Sequence, residues 1–383
     1  MIYFDNPATT FPKPQCVSDE ISSCIKKYCG NPGRSSHILS IKSAEKIYET
    51  RCLLGDMFGA PPENVVFTYN TTYALNIAIK SFFKPREHVL ISDIEHNSVI
   101  RPIASLARQN LCSYSSFCTD GDDEEILENI KMSITDNTSM LCCTFVSNVG
   151  SRRLPIKKIG DFCKERGIFF IVDGAQGAGV FDINVKEMNI DALCIPAHKA
   201  LYGPQGLGMI IFGAEKLGRS IFEGGTGVNS FETEMPDFLP ERYEAGTLST
   251  PLISGLCEAL KWLKTININS IRAHEEQLYI TACDLLSTNE KIILYKMNEY
   301  AGNTLMFNIQ GMSSATVSSL LDKRGICTRS GFHCAPSAHK KLNTGNGGAV
   351  RIGFSVFNTQ KEIFSFTEAL NEIIKDKKKP ISR

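Results

Sequence analysis

The sequence has no surplus of either charge: its 383 residues carry 41 basic and 41 acidic side chains, a formal net charge of zero. That balance removes the electrostatic footprint of a dedicated nucleic-acid or membrane-surface binder and leaves room only for a local basic site. Long hydrophobic runs are missing as well. The most apolar windows, such as Ile168 to Val172 and Leu207 to Phe212, fall far short of the roughly 20 residues of a membrane-spanning helix and read as buried strands. Met1 to Pro7 has neither the basic start nor the apolar stretch of a secretion signal, so no export is expected. Among 14 cysteines there is no paired C-x-x-C spacing; scattered thiols of this kind fit a reduced cytoplasm. Repeats and low-complexity tracts are also absent. What is present is an ordinary folding composition, 43% hydrophobic and 21% charged, which excludes a disordered, collagenous or coiled-coil chain. At roughly 100 to 200 residues per domain the length predicts two or three domains, or one large domain with a satellite. The basic end, Lys375 to Arg383 with Pro380, reads as a solvated tail.

From residue 41 to about 212 helical and strand signals alternate. Ile41, Ala44, Ile47, Leu54 and Phe58 recur at helical spacing, Gly59 follows as a stop, and Val65 to Thr68 is a short β-branched run. Similar steps predict helices near 72–83, 98–109, 123–134 and 156–166, and strands near 88–91, 113–117, 140–146 and 168–172. Strands this continuously apolar are covered on both faces, so the alternation implies a mostly parallel sheet with helices on either side. After Phe212, Gly224-Gly225-Thr226-Gly227 opens a polar stretch to Thr250 that reads as a functional loop. Helices near 253–265 and 270–287, strands near 292–295, 304–309 and 326–329, and helices near 314–323 and 359–375 make an α+β terminal unit. The expected division is a large domain over 15–252 and a small one from 1–14 and 253–383.

In an open parallel sheet ligands bind beyond the carboxyl ends of the strands. Ile168 to Val172 ends in Asp173-Gly174-Ala175-Gln176, and Ala192 to Pro196 ends in Ala197-His198-Lys199. Singly, the Asp reads as a helix-cap or turn residue, and the Lys equally as a solvated side chain. Together they make a chemical proposal: pyridoxal phosphate needs a lysine amine for its Schiff base and an acid to keep its pyridine nitrogen protonated. A phosphate cradle belongs at a strand-to-helix junction, where free N–H groups and the helix dipole attract an anion. Val65 to Thr72 is such a junction, although Thr71 and Thr72 would also serve as ordinary caps. His96, on a similar strand exit, is placed either to stack on a cofactor ring or as a loop residue. In the terminal unit, Arg329-Ser330-Gly331-Phe332-His333-Cys334-Ala335-Pro336 sets a cysteine in a Gly- and Pro-punctuated loop between two strands. A buried structural thiol and an exposed nucleophile are both open, and a neighbouring imidazolium would favour the thiolate. His333, Cys334 and His339 lack a partner pair at metal-site spacing, so no metal is expected.

These residues resemble the class V aminotransferase branch of fold-type I pyridoxal phosphate enzymes, and within it the cysteine desulfurase and selenocysteine lyase group. The resemblance covers nearly the whole chain. It is carried by Tyr3 to Thr10, Asn70-Thr71-Thr72, Glu95-His96-Asn97-Ser98, Ser147-Asn148-Val149, Asp173-Gly174-Ala175-Gln176, His198-Lys199, Glu244-Ala245-Gly246-Thr247, Arg329-x-Gly331-x-His333-Cys334 and Val350-Arg351-Ile352. It implies an α/β large domain with a mostly parallel seven-stranded sheet and a smaller α+β C-terminal domain. By the same resemblance Lys199 looks like the cofactor-bearing lysine and Asp173 the partner of the pyridine nitrogen. Gln176 and Asn148 would lie at the ring oxygen, Asn148 also at the substrate, and His96 would stack on the ring. Thr71, Thr72 and His198 look like phosphate ligands. Thr247 would reach the phosphate of a neighbouring subunit, which implies a homodimer with shared active sites. Arg351 resembles the residue that pairs with the substrate carboxylate through two parallel hydrogen bonds. Cys334 resembles the persulfide-forming cysteine, in the wording of the group II desulfurases.

The implied reaction takes L-cysteine to L-alanine: the freed Lys199 removes the α-proton, Cys334 thiolate attacks the substrate sulfur, and the persulfide passes to an acceptor protein. Selenocysteine would follow the same path. Three positions depart from the usual pattern. Pro196-Ala197 lacks a hydroxyl expected at the phosphate, Asn70 replaces a common Gly, and Arg152-Arg153 follow Asn148 either as solvated cations or as a change at the entrance. The competing readings are transamination or β-elimination on the same cofactor, where Cys334 has no purpose, and a cofactor-poor interaction protein.

Overall fold

In the computed structural model residues 1–33, 35–214, 217–297, 302 and 304–376 are described; the last seven residues of the basic tail, 377–383, lie outside them. The chain forms two compact units, a larger one of Lys13–Phe145 with Leu154–Ile268 and a smaller one of Met1–Pro12, Val146–Arg153 and the chain from Asn269. The division therefore lies at 12/13 and 268/269, not at 14/15 and 252/253, and a short excursion at 146–153 joins the smaller unit.

After β1 (Ile2–Tyr3), which belongs to the smaller unit, the larger unit runs α1 (Gln15–Lys27), α2 (Ile38–Phe58), β2 (Val65–Thr68), α3 (Thr71–Phe82), β3 (His88–Ser92), α4 (Asn97–Arg108), β4 (Ser113–Phe117) and α5 (Asp123–Ser133). It continues with β5 (Thr138–Thr144), α6 (Ile156–Arg166), β6 (Phe169–Asp173), β7 (Ala192–Pro196), β8 (Gly208–Phe212) and α7 (Thr250–Ile266). Seven strands order as β2-β8-β7-β6-β5-β3-β4. Only β8 runs against its neighbours, so β2, β3, β6 and β7 all end on the same edge. Burial explains their sequence: every residue of β3, β7 and β8 is buried, as a sheet covered on both faces requires. Helix ends follow local chemistry. Asp122 and Glu125 form a reciprocal capping box at α5, and α2 stops at Gly59 in a left-handed conformation, φ 73°. Helix α7 packs on α1 and α2, and a Cβ at Gly255 would meet Ile21 Cγ1 at 2.7 Å. That contact holds α7 to the larger unit. Helix α1 was not expected from the sequence, yet Val17 and Cys24, its two buried residues, lie seven positions apart, on one helical face.

The smaller unit has α8 (Ile268–Ser287), β9 (Ile292–Tyr295), β10 (Thr304–Ile309), α9 (Ser314–Asp322), β11 (Ile326–Cys327), β12 (Arg329–Gly331), α10 (Pro336–Lys341), β13 (Ala349–Gly353) and α11 (Gln360–Asp376). An antiparallel sheet orders as β12-β13-β10-β9, and β1 pairs with β11. Its core is largely aliphatic with an aromatic cluster in it, where Phe4 meets Phe354 and Phe366 edge-on, each at 5.5 Å. The expected strand over 326–329 divides at Thr328 because β11 pairs with β1 while β12 pairs with β13.

Candidate functional site

On the larger unit, four strand ends deliver the expected residues to one edge. Asp173 closes β6, His198 and Lys199 follow β7, His96 follows β3, and Thr71 opens α3 after β2. Asp173 is buried, which pushes its carboxyl up; Lys199 opposes the shift, and Ala175 N donates to Asp173 Oδ1 at 3.0 Å. Thr72 Oγ1 lies 2.8 Å from Ser98 Oγ, which is 2.9 Å from His96 Nδ1. Because Ser98 N also donates to Nδ1 at 3.1 Å, neutral His96 carries its proton on Nε2. Burial, Lys199 and Lys13 push the His198 imidazole down to about 4, so it is neutral at neutral pH. Gln176 is half-buried on the turn after β6, and Thr247 is exposed on the long segment after β8.

Thr71 Oγ1 is buried without a hydrogen-bond partner among the described residues. It stands at the first turn of a 12-residue helix, where unpaired N–H groups and the dipole favour an anion. An orphan hydroxyl at a helix start, a buried acid and a strand-end lysine are the residue types that pyridoxal phosphate requires. The residues fit that cofactor. Asn70 has an extended backbone, φ −174°, and caps α3 by accepting from Tyr73 N at 3.1 Å; its replacement of Gly causes no strain. Pro196 and Ala197 are buried backbone, with Ala197 N donating to Leu207 O at 3.0 Å.

Three neighbours were not assigned roles from the sequence. Glu95 is fully buried; its Oε1 accepts from Ser92 Oγ and from Thr144 N at 2.8 Å, while Oε2 has no partner among the described residues. Burial, with Asp173 and Asp93 adding to it, pushes this carboxyl up to about 8. Lys13 Nζ donates to the carbonyl of His198 at 2.6 Å, and burial lowers its amine to about 7. Gly208 leaves no space beyond its backbone: a Cβ there would lie 2.4 Å from Asn70 C and 2.8 Å from Thr71 N. Pro flanks on Lys13 and the apolar run after Gly208 are faint sequence signals for either.

The smaller unit carries Asn148, Cys334 and Arg351. Arg351, on β13, is 1% exposed. Its Nη2 pairs with Asp5 Oδ1 at 3.1 Å, Nη1 donates to Asn148 O at 3.4 Å, and Nε is buried without a partner among the described residues. Burial lowers the guanidinium to about 10 against the pull of Asp5, so it stays charged at neutral pH. Asp5, unassigned from the sequence, occupies it with a carboxylate. Asn148 Nδ2 donates to His333 O at 2.8 Å. Of the two unusual arginines, Arg152 is buried and Arg153 exposed.

Cys334 is exposed, with φ 57°, directly after His333 at φ 50°. Two consecutive left-handed residues that are not glycine are costly, and persist only where surroundings over-determine them. The cysteine segment leads into α10 before β13, so a helix that the sequence did not announce follows the nucleophile candidate. One expectation is corrected here. Burial and the Arg351 charge push His333 down to about 2, so no imidazolium stands beside the thiol. Arg351 and Cys334 interact electrostatically.

The class V aminotransferase pattern matches residues 2–366. A probable cysteine desulfurase of Pyrococcus abyssi is 30% identical across 98% of this chain and 94% of its own length. A second, from Borreliella burgdorferi, is 31% identical across 98% and 92%. The solved apo structure of a cysteine desulfurase from Thermococcus onnurineus superposes with a TM-score of 0.88 at 29% identity, covering 98% of this chain and 95% of that one. The chain belongs to the class V aminotransferase family, a family of pyridoxal phosphate-dependent enzymes.

Proposed function

We propose that this protein is a cysteine desulfurase that converts L-cysteine to L-alanine and takes the sulfur as a persulfide on Cys334 for an acceptor protein. The observation that carries the reading is Cys334 itself, an exposed thiol on a left-handed backbone in the field of a buried guanidinium. Relatives named cysteine desulfurase over almost the whole chain support it. A transaminase has no purpose for such a thiol, and the complete donor set argues against a non-catalytic protein.

When bound, pyridoxal phosphate supplies an electron sink for negative charge at the substrate α-carbon. Lys199 would carry it and Asp173 would hold its ring nitrogen protonated. Thr71, Thr72 and His198 would hold the phosphate, His96 would stack on the ring, and Gln176 and Asn148 would contact its oxygen. Thr247 would serve the site of a second copy, which makes a homodimer part of the proposal, as is a cytoplasmic setting for the 14 free cysteines. Arg351 would bind the substrate carboxylate, for which the Asp5 carboxylate is the internal stand-in, and Nε, which has no partner among the described residues, offers the second bond of a bidentate pair. Lys199 amine would accept the α-proton. Cys334 thiolate would attack the substrate sulfur, forming the S–S bond as Cβ–S breaks. Net, L-cysteine and the Cys334 thiol give L-alanine and the Cys334 persulfide. Selenocysteine offers the same atoms with a weaker bond.

The test measures alanine and sulfide from L-cysteine with dithiothreitol. Equal amounts are expected from the native protein, with sulfide lost in both Cys334→Ala and Lys199→Ala. Full activity of Cys334→Ala alongside a dead Lys199→Ala would replace the desulfurase reading with another reaction on the same cofactor.

A further inference from the structure

Behind Cys334 lies a hydrogen-bonded row that the reaction above does not use. His333 Nδ1 is 3.0 Å from His339 Nε2, and His339 Nδ1 is 2.9 Å from Thr344 Oγ1. At the other end His333 Nε2 is 3.3 Å from the Arg329 carbonyl. The three side chains are 4%, 1% and 6% exposed, and the two imidazoles lie nearly parallel, 17° apart.

Their protons can be assigned from one end. The Arg329 carbonyl only accepts, so His333 carries its proton on Nε2. Nδ1 of a neutral His333 is then a lone pair and His339 Nε2 must donate to it. That leaves His339 Nδ1 as an acceptor, and Thr344 Oγ1 must donate. The alternative use of the Thr344 proton, the His339 carbonyl at 3.5 Å, would reverse the row. It would also force a cationic His333 into a buried site facing Arg351 and Arg329, both of which lower its basicity. The row therefore has one direction, from Thr344 to Arg329, with no net charge.

We propose that Thr344 and His339 are positioning residues for the sulfur-accepting cysteine. They fix the tautomer and orientation of His333, and through its backbone hold Cys334 in its left-handed presentation. The other restraint on the same peptide is Asn148 Nδ2 on His333 O, so one residue is held by ring and by carbonyl. The role in sulfur transfer rests on the desulfurase reading; the tautomers and the thiol presentation do not.

The test has two readouts on the holoenzyme. Nitrogen-15 spectra of histidine-labelled protein should show His333 and His339 both protonated at Nε2 with Nδ1 accepting. In Thr344→Val the His339 signal should move toward the tautomer average, and Thr344→Ser should restore it. The second readout is the rate of Cys334 alkylation by iodoacetamide. Loss of the row in His339→Leu should change that rate on the order of 10-fold, the low end for losing an orienting partner. His339→Gln keeps a donor toward His333 and should recover most of it. A native His339 protonated at Nδ1, an unchanged alkylation rate in His339→Leu, or no recovery in His339→Gln would each overturn the proposal. If His339→Leu does not fold, the native spectrum and the Thr344 pair decide. Sulfide assays fail independently if the desulfurase reading is wrong.

Discussion

Two residues of the larger unit make opposite demands on stability and function. Thr71 Oγ1 is a buried hydroxyl without a partner among the described residues, a condition that costs about 1–3 kcal/mol. Thr71→Val should therefore leave the apoprotein as stable or about 1 kcal/mol more stable, while weakening cofactor retention several-fold; thermal melts and absorbance titration with pyridoxal phosphate measure the two. Glu95 sits higher on the pH scale when folded, about 8 against 4.5. Between those values the folded state holds a proton that the unfolded state has lost, so this carboxyl makes stability fall as pH rises, by about 1.4 kcal/mol per unit, and adds no further slope above about 8. Glu95→Gln keeps the acceptor for Thr144 N and has no charge to bury. It should gain on the native protein as pH rises from about 5 to 9 in urea unfolding, and a gap independent of pH would refute the assignment. From the sequence, the placement of Asp173 and Lys199 at strand ends and of Cys334 in a loop was legible, because an apolar run or Gly and Pro punctuation marks each. Glu95 and Lys13 were not, because burial, which no single sequence displays, gives them their properties.

Periodicity located most elements within a residue or two, among them α3, β4, α6 and β7. It failed where an element is short or stabilised by a distant partner. β1 has two residues and exists through β11, more than 300 positions away, and α10 has six residues starting at Pro336. Local pattern holds no trace of such pairing. The β2–α3 junction shows the same dependence in the site. Its position is set by Gly208 on the adjacent β8, whose hydrogen atoms face the backbone of Asn70 and Thr71. Backbone cannot yield as a flexible side chain does, so Gly208→Ala should shift the turn at a cost of about 1–3 kcal/mol. The expected result is a protein that folds but binds pyridoxal phosphate at least ~10-fold more weakly; unchanged cofactor affinity would show that the turn does not hold the phosphate.

At the scale of the whole molecule, composition limited the answer before any motif did. Zero net charge and no long apolar run argue against a dedicated polymer or membrane-surface binder, and among the described residues no helix is long and apolar enough to cross a bilayer. Strand–helix alternation then implied a mostly parallel sheet and the family resemblance its seven strands, and the larger unit has both, with β8 antiparallel to its neighbours. The division of the chain was less legible, since α7 follows the sheet in sequence yet packs on α1 and α2. The division also separates the candidate groups: Thr71, Asp173, His198 and Lys199 lie on the larger unit, and Asn148, Cys334 and Arg351 on the smaller. The most direct measurement is peptide mass spectrometry of the holoenzyme after L-cysteine without reductant. One added sulfur atom on the Cys334 peptide is expected, absent in Lys199→Ala and removed by dithiothreitol. Alanine formed with no sulfur on Cys334, or sulfur found on another cysteine instead, would contradict the central claim.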